Sequence, residues 1–569
     1  MKKNLSLIII ILIALIIRIY RAEESFDGFH GHNEAWYTII ADNYTFRTLL
    51  YPRSYLGTVD YNVPPLFSYV LFIIFRIFGT SEFTARSVPI FFSIVLIWLV
   101  FALGKRIYGV QAALAAALLV AVMPAAVIVG RNVQGDTMYT TLVVAFLYFY
   151  MRARESERSF SDIGSQSEMH DAKDEKQGLK TASASQHAAL AENRTLYFIL
   201  AGFMLGAALL TKQPAVLSIG IVIFWELTAR RSLRFFNRGF ALMCAIALAI
   251  TMSFYLPHLI LHTQEFITTQ RGIFIEAKGI GGHTMAGMLS AAVIKELASE
   301  VLWGLSPPIA MLALVAIPVS FILPKRDPMP VIALSFFGLF YLFVHKHVYY
   351  MLPAAVFATL VTGCLWSGER STPIRKTILA AVVILTAFVS LLLLCKVKYG
   401  RHEFQHFGER LADNGIRNVD VVTSDVILSS YGPLIQYYAP GSRIHAFSRL
   451  PLNSDGTAKL SYNSGFVLLF DASYAHNLPE NILMASGIDL MGIVLFGYVI
   501  HPRSSPHEPF AQTFAPGGFV VKKVGPLTDF GIRRVKTRTS FKFAYLPSNR
   551  RLKEVNGVFQ IVSMQAMAN

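Results

Sequence analysis

The sequence predicts a polytopic α-helical membrane protein that ends in a smaller α/β domain. Of its 569 residues, 54% are hydrophobic and 13% are aromatic, and the mean hydropathy is +0.49. Apolar runs suited to crossing the roughly 30 Å hydrocarbon core of a bilayer recur as far as residue 395. Beyond that point, short β-branched runs alternate with proline, glycine and asparagine, which is typical of an α/β domain.

Eleven apolar runs are predicted to cross the membrane. The first, about residues 4–20, follows Lys2 and Lys3 and resembles a signal peptide, but no small-residue cleavage site follows it, so we expect a retained helix. The other ten lie at about 87–104, 110–129, 137–151, 196–211, 214–229, 239–261, 301–323, 330–345, 352–366 and 377–395.

Residues 64–79 decide whether the number of membrane crossings is odd or even. This segment is short for a span of about 20 residues and carries Arg76, so we interpret it as an amphipathic or re-entrant element on the outer side. The basic loops then fall on the side of Lys2 and Lys3, as the positive-inside rule requires, although Arg18 and Arg21 do not fit. A full crossing is the alternative and would give twelve spans; thirteen is a further alternative to eleven.

This topology divides the chain into two predicted domains. Residues 1–395 form a transmembrane domain, in which residues 21–86 make the first outer loop with juxtamembrane helices. Residues 152–195 are rich in Ser, Ala, Glu, Lys and Gln and predict a disordered cytoplasmic loop, since they cannot bury a core. Eleven crossings from a cytoplasmic N-terminus place residues 396–569, the α/β domain, outside the cytoplasm.

The strong positive charge is explained by topology. The net charge is +16 and the pI is near 9.6, but most Lys and Arg residues lie in short loops between apolar runs. We therefore expect a protein of the cell membrane and no nucleic-acid partner. The three cysteines, Cys244, Cys364 and Cys395, lie within or at the ends of apolar runs, which indicates neither a disulfide framework nor a thiolate metal site.

Ionisable residues near the ends of apolar runs converge on the outer face. Polar side chains at membrane depth are costly and tend to line a functional cavity, so their shared face predicts a site. The residues in question are Asp27, His30, His32, Asn33, Glu34, Asp60, Arg131, Asp136, Lys212, His258, His262, Arg271, His283, His345, Lys346, His347, Tyr349 and Tyr350.

The stretch "FDGFHGHNEAWYTII" contains the first candidate base. We expect Asn33 to cap a helix whose first turn carries Glu34, where the helix dipole favours a carboxylate. That carboxylate either acts as a general base or only stabilises the helix. His30 and His32 offer a second interpretation, a metal site shared with Glu34, but the H-x-H pattern alone has many false positives.

The remaining charged candidates also have two interpretations. Asp136 follows a glycine at the outer start of a helix, so it is either a functional acid or a helix-start residue. Lys212 and Lys346 either extend to the interface or bind a phosphate, for which lysine is a usual point-charge partner.

The order of several motifs resembles the GT-C glycosyltransferases. "NEAWYTIIADN", "VPPLFSYVLFIIFRIFGTSEFTARSVPIFFS", "GDTMYTTLVVAFLYFY", "LTKQPAVL", "YLPH" and "HKHVYYMLP" follow one another over residues 1–360. The nearest branches are the protein O-mannosyltransferases, which use dolichyl-phosphate-mannose, and the aminoarabinose transferases that act on lipid A. The resemblance implies an inverting transfer of a sugar from a polyprenyl-phosphate donor to a hydroxyl of a lipid, glycan or protein acceptor on the outer face.

The resemblance also implies roles for individual residues. Glu34 and Asp136 match the two acidic catalytic sites. The donor phosphate would be bound by Lys212, Lys346 and Arg271, and the substrate by Asn33, Tyr37, His345 and Tyr350.

Two departures from the family pattern qualify these roles. Asn33 stands where the usual acidic pair has its first carboxylate. If that position is the base of the family, either Glu34 or Asp136 takes its place, or this member is inactive or has a different catalytic arrangement. Asn62 and Val63 precede Pro64 where relatives often carry a charged pair. We therefore predict no cofactor and no required metal, with a divalent metal as the alternative.

Two other functions are compatible with the same surface charges. One is a lipid or glycan transporter or flippase, which the lack of an internal repeat in the apolar pattern disfavours. The other is a ligase that moves a whole glycan from a diphosphate lipid.

Overall fold

A computed structural model describes most of the transmembrane part and a portion of the C-terminal part. The described residues are 2–26, 30–61, 63–170, 177–230, 235–271, 291–322, 328–343, 348–367, 372–398, 403–413, 419–423, 425–446, 454, 466–472, 541–547, 550–555 and 558–563.

Helices dominate the described chain. In chain order they are α1 (Lys2–Ile19), α2 (Gly31–Asp42), α3 (Leu66–Phe78), α4 (Glu82–Ile107), α5 (Val110–Val122), α6 (Pro124–Ile128), α7 (Asp136–His170), α8 (Gln177–Leu209), α9 (Leu217–Arg230), α10 (Arg238–Leu261), α11 (Thr263–Arg271), α12 (Ala291–Leu305), α13 (Pro307–Ile322), α14 (Met329–Phe343), α15 (Met351–Thr362), α16 (Pro373–Lys398), α17 (Glu403–Asp413) and α18 (Asp425–Tyr438). Short 3₁₀ turns occupy Val129–Arg131, Gln213–Val216, Val348–Tyr350 and Gly363–Trp366.

The chain forms two compact units. The first, here called the membrane unit, comprises Met1–Ala22, Tyr61–Ile74 and Arg86–Leu392. The second, the C-terminal unit, comprises Glu23–Asp60, Phe75–Ala85 and Leu393–Asn569. The division at residue 393 lies close to the boundary expected from the sequence at 396. Most of the first outer loop, which the sequence placed in the transmembrane domain, is grouped instead with the C-terminal unit.

Several helices are apolar and long enough to cross a bilayer. Three described helices qualify singly: Glu82–Ile107, Arg238–Leu261 and Pro373–Cys395. Two bent pairs would raise that number to five, one with a 61° bend before Pro124 and one with a 103° bend before Pro307. Six further apolar helices in the described residues are shorter than a full span, and α3 is among them. The protein is thus a multi-pass membrane protein, and the number of eleven crossings stays a prediction.

A buried arginine satisfies the backbone at the break between α5 and α6. Pro124 starts α6 and cannot donate a backbone hydrogen bond, so carbonyl groups of the preceding turn lose their helical partners. Arg18 is fully buried, and its guanidinium donates to the carbonyl oxygens of Ala121 at 2.8 Å and Ala126 at 3.0 Å. Its Nε donates to Ser93 Oγ at 2.7 Å. This explains why the first helix carries an arginine that the charge pattern of the loops left unexplained.

Two further arginines bind the C-terminal end of α1. The Arg131 guanidinium donates to the carbonyl oxygens of Tyr20 and Arg21, both at 2.8 Å, and Arg86 donates to that of Ala22 at 3.0 Å. The last carbonyl groups of a helix lack intrahelical donors and attract cations. These bonds fix the segment that leads directly into α7.

The middle of α7 is fixed by a buried carboxylate from α9. Glu226 is fully buried and accepts hydrogen bonds from Tyr150 Oη and Arg154 Nε, both at 2.9 Å. Arg154 also pairs with Glu157, whose other oxygen accepts from Asn237 Nδ2 at 2.6 Å. Because the charges in this network are paired, α7 has a defined position at its middle as well as at its start.

The segment expected to be a disordered loop contains helix. The structure places helical backbone at 152–170, as the continuation of α7, and at 177–195, as the start of α8. This segment is rich in Ala, Glu, Lys and Gln, which have high helix propensity, so two adjacent apolar helices can extend beyond the membrane. The loss of apolar periodicity that predicted disorder is equally compatible with a solvated helix.

The C-terminal unit contains a mixed sheet. Its strands are β1 (Val419–Thr423), β2 (Ser442–Ala446), β3 (Phe466–Ala472) and β4 (Phe541–Pro547), in the order β2-β1-β3-β4. Strand β1 is parallel to β2 and β3, whereas β4 is antiparallel to β3; β5 (Arg550–Val555) and β6 (Val558–Ser563) form a hairpin. The runs "VDVVTSDV" and "GFVLLFD" form β1 and β3, and the predicted strands in "IVLFGYVI" and "GFVVKKV" lie outside the described residues.

Helix α18 connects this sheet with the first outer loop. The Phe26 backbone N–H donates to Tyr438 Oη at 2.7 Å, and that hydroxyl also bonds Glu82 at 3.1 Å. An added Cβ at Gly432 would lie 2.6 Å from the Tyr55 ring, so only glycine allows this close approach. The outer loop and α18 therefore pack as parts of one unit.

Candidate active site

The most distinctive polar feature of the membrane unit is a buried ion pair between Asp136 and Lys212. Lys212 Nζ donates to Asp136 Oδ1, and the two side chains are 11% and 3% exposed respectively. Asp136 is the first residue of α7, where the helix dipole favours a negative charge. Lys212 lies in the bend between α8 and the 3₁₀ turn that precedes α9. The pair thus joins the start of one helix to the end of another.

A close packing of two bends brings these residues together. Gly135 directly precedes α7, and a Cβ added there would lie 3.2 Å from Thr211 Cγ2 and 3.3 Å from the Thr211 carbonyl oxygen. Thr211 directly precedes Lys212 and is itself buried, with its hydroxyl donating to the Ala207 carbonyl at 2.8 Å. The glycine therefore sets the separation between the two charged residues.

Two tyrosines enclose the lysine. Lys212 Nζ lies 4.2 Å from the ring centroids of both Tyr349 and Tyr350, which are 5.3 Å from each other. Aromatic faces attract cations, by about 0.5–2 kcal/mol per ring depending on desolvation. A third tyrosine, Tyr139, is 3% exposed and lies one helical turn after Asp136. The ammonium group is thus held by one carboxylate and two ring faces.

Burial controls the protonation of these groups. It lowers the pKa of Lys212, and the attraction of Asp136 opposes that shift. Burial also raises the pKa of Tyr350, and the negative charge of Asp136 raises it further, so the phenol stays protonated. The cluster therefore combines a carboxylate, a titratable ammonium and a phenol donor, which can bind an anion or transfer a proton.

Glu34 lies in the C-terminal unit and is fully buried in the first turn of α2. The predicted cap was wrong: α2 begins at Gly31, its N-cap is His30 with φ 56°, and Asn33 lies within the helix. An added Cβ at Gly31 would lie 1.3 Å from the Phe26 carbonyl oxygen. The close approach allowed by this glycine starts the helix three residues earlier than a cap at Asn33 predicts.

The other residues of α2 have modest roles in the geometry. The Asn33 side-chain amide lies 3.2 Å from His30 Nδ1, and Tyr37 is partly buried. The rings of His30 and His32 are 5.7 Å apart. Among the described residues, no group of three or more His, Cys, Asp or Glu side chains is arranged to hold a metal ion. The absence of a metal requirement stays a prediction.

Several predicted site residues are not described in detail. Asp27, His283, His345, Lys346 and His347 lie outside the described residues, and Arg271 is described only as the last residue of α11. His258 and His262 lie in an aromatic group with Tyr61, whose ring centroid is 5.2 Å from that of His258. The Asp60 carboxylate accepts from Trp36 Nε1 at 2.8 Å.

Sequence reasoning missed three amide side chains next to the ion pair. Asn132 and Gln134 are 1% and 2% exposed and precede Asp136, and Gln213 follows Lys212. All three have buried polar atoms without a hydrogen-bond partner in the described structure. The stretches "VGRNVQGDTMY" and "LTKQP" contain them, but a neutral amide has no charge that distinguishes it in the sequence.

Comparisons with known proteins agree with the resemblance found in the motifs. The family described as dolichyl-phosphate-mannose-protein mannosyltransferase matches residues 62–163, which include Asp136. No curated protein matches the whole sequence significantly.

Two solved structures share the fold. The crystal structure of ArnT from Cupriavidus metallidurans in the apo state has a TM-score of 0.59 and 12% identity, over 94% of this chain and 97% of that one. The structure of the same protein bound to undecaprenyl phosphate has a TM-score of 0.56 and 14% identity, over 77% and 85%. The chain therefore has the fold of ArnT, in agreement with the GT-C fold that the order of its motifs predicted.

Proposed function

We propose that the protein is an inverting membrane glycosyltransferase that transfers a sugar from a polyprenyl-phosphate donor to an acceptor hydroxyl on the outer face. The observation that carries this proposal is the buried pair of Asp136 and Lys212, enclosed by tyrosine rings, in a chain with the GT-C fold. A buried ion pair adds little to stability by itself, so its presence next to unpaired amides favours a functional role. The structural relative bound to undecaprenyl phosphate supports a lipid-phosphate donor.

The leaving phosphate would bind at Lys212. Breaking the bond between the anomeric carbon and the phosphate oxygen places negative charge on the phosphate, and a fixed cation stabilises that charge. Lys212 supplies the cation and the protonated phenol of Tyr350 supplies a hydrogen-bond donor. Lys346 and Arg271 are proposed as additional cations, as the family resemblance implies.

The acceptor oxygen attacks the anomeric carbon from the opposite side. A new carbon–oxygen bond forms while the electrons of the old bond go to the phosphate, and the hydroxyl proton goes to Glu34 or Asp136. Both carboxylates are buried at the start of a helix. When the donor phosphate binds Lys212, it takes that residue from Asp136 and leaves the Asp136 carboxylate available as a base. Asp136 is therefore the stronger candidate in the complex with the donor. Asn33, Tyr37 and His345 are proposed to contact the substrate.

The proposed orientation follows the distribution of basic loops. The N-terminus lies in the cytoplasm, the C-terminal unit lies outside it, and the acceptor is a lipid, glycan or protein that presents a hydroxyl there.

Product analysis with purified lipid donors tests this proposal. The full-length protein in lipid nanodiscs is supplied with undecaprenyl-phosphate mannose or undecaprenyl-phosphate aminoarabinose and with solubilised envelope acceptors, and the lipid product is identified by mass spectrometry. We expect release of undecaprenyl monophosphate. Release of a diphosphate lipid from a diphosphate-linked glycan would support a ligase instead, and passage of intact donor across the membrane without cleavage would support a transporter.

Variants of the two carboxylates assign the base. Glu34→Gln and Asp136→Asn preserve shape and remove the proton acceptor, and at least one should reduce turnover by about 100-fold or more. Asp413→Asn, at the exposed end of α17, is the matched control for the removal of a carboxylate charge. If both variants retain full transfer, neither carboxylate is the base.

A further inference from the structure

Three amide side chains close in sequence to Asp136 and Lys212 carry buried polar atoms that have no hydrogen-bond partner among the described residues. Both polar atoms of Gln134, Asn132 Oδ1 and Gln213 Nε2 are buried, and no described residue forms a hydrogen bond with them. An unpaired buried polar group costs about 1–3 kcal/mol, so native proteins rarely keep several in one place. Such a concentration indicates atoms that bind a polar ligand.

The backbone places these amides together. The Gln134 N–H donates to the Asn132 carbonyl at 2.7 Å, which makes a tight turn directly before α7. Gly135 then packs against Thr211, as described above, so this turn and the bend containing Gln213 are in contact. The Ala215 N–H donates to the Lys212 carbonyl at 3.1 Å and fixes that bend. The two segments that carry the amides therefore meet beside the residues of the ion pair.

The chemistry of this set fits sugar hydroxyl groups. A hydroxyl group donates one hydrogen bond and accepts others, and a primary amide offers both an acceptor oxygen and donor hydrogens. The segments 129–140 and 207–216 contain a single carboxylate, Asp136, and Lys212 already neutralises it. Within these two segments a neutral sugar finds hydrogen-bond partners in the amides, whereas a protonated amino sugar finds no unpaired carboxylate.

We propose that Asn132, Gln134 and Gln213 bind the hydroxyl groups of the transferred sugar and make the protein selective for a neutral sugar over an amino sugar. This inference rests on the proposed function and specifies its donor. The lipid phosphate lies at Lys212, and the sugar attached to it reaches the amides on either side.

Binding measurements separate the sugar from the phosphate. Native mass spectrometry of the full-length protein is used to titrate undecaprenyl phosphate, undecaprenyl-phosphate mannose and undecaprenyl-phosphate aminoarabinose. We expect the mannose lipid to bind more tightly than the aminoarabinose lipid. A preference for the aminoarabinose lipid, or equal affinity for the two, would overturn the selectivity.

Apolar variants of similar size test the amides directly. Gln134→Met and Asn132→Leu should each weaken binding of the mannose lipid by about 3-fold to 10-fold, the equivalent of one net hydrogen bond, and leave the affinity for undecaprenyl phosphate unchanged. The exposed Gln111→Met is the matched control. The melting temperature should not fall, because an amide without a partner contributes no bond to the fold.

The outcomes separate this inference from the proposed function. If the wild-type protein binds none of the three lipids, the proposed function fails. If it binds them and the variants weaken the sugar lipid and the bare phosphate lipid equally, or weaken neither, then the amides do not bind the sugar. A fall in melting temperature without a change in the preference for the sugar lipid assigns the amides to the fold and also overturns the inference.

Discussion

The Asp136–Lys212 pair should serve binding more than stability, and removing its charges singly and together can show this. Lys212→Met removes the ammonium and keeps a side chain of similar length, and Asp136→Asn removes the carboxylate charge. Each single variant leaves the other charge buried, because the two side chains are only 3% and 11% exposed. The double variant leaves no buried charge.

The magnitudes follow from the contacts. Leaving one member of a buried pair alone costs about 3–5 kcal/mol. In Lys212→Met the loss of the two tyrosine contacts adds about 0.5–2 kcal/mol each, and the α7 dipole offsets about 0.3–1 kcal/mol by stabilising the remaining carboxylate. The double variant loses only the tyrosine contacts and the mutual attraction, which desolvation largely cancels, so we expect it to be less destabilised than Lys212→Met.

Two readouts are needed. Reversible unfolding in mixed micelles gives the free energy of unfolding, and native mass spectrometry gives the affinity for undecaprenyl phosphate. We expect Lys212→Met and the double variant both to lose about 10-fold or more in affinity, since both lack the cation, although the double variant regains stability. Asp136→Asn should bind the phosphate at least as tightly as the wild type, because the carboxylate no longer competes for Lys212.

Two results would refute this reasoning. If the double variant binds undecaprenyl phosphate as well as the wild type, Lys212 is not the phosphate ligand. If it is less stable than both single variants, the pair contributes net stability and the argument for a functional role loses its basis.

Three further predictions concern the surroundings of the site. Burial lowers the pKa of Lys212, so the affinity for undecaprenyl phosphate should fall as the pH rises, beginning below the ordinary lysine value of 10.5. Lys212→Arg should remove this pH dependence, because arginine stays charged. A pH-independent affinity in the wild-type protein would contradict the prediction. Gly135→Ala places a Cβ against Thr211 and should cost about 1–3 kcal/mol of stability. It should also reduce turnover by about 10-fold or more in the donor assay, because it changes the separation of the two bends. Unchanged turnover would show that this separation is not critical. Glu226→Gln should destabilise the protein by about 3 kcal/mol in mixed-micelle unfolding, because Arg154 loses its buried partner. It should leave lipid binding intact, since Arg154 lies about 27 Å along α7 from Asp136. A loss of lipid binding in this variant would contradict the prediction.

The sequence predicted the fold class and singled out the two charged residues that the structure brings into contact, for good physical reasons. Long apolar runs can only be membrane helices, and polar residues at their ends are few enough to be noticed individually. Asp136 and Lys212 were identified this way, and the structure brings them into contact across 76 positions of the chain.

Other features depend on contacts that no local pattern records. The start of α2 is set by the close approach of Gly31 to Phe26, so the capping rule placed it three residues too late. Arg18 looked like a charge out of place until its carbonyl partners at the α5–α6 break were known. For Gly31 the partner is a backbone carbonyl group, and for Arg18 the partners are more than 100 positions away in the sequence.

The sequence by itself determined that the protein is a helical membrane protein with acids and cations collected at the ends of its spans, because the hydrophobic effect and the cost of burying charge act on composition and order alone. Only the tertiary structure decided which of these residues pair. Hydrogen bonds, cation–aromatic contacts and unpaired buried amides depend on separations of a few ångströms between bends such as those at Gly135 and Lys212. Such distances are set by the packing of helices.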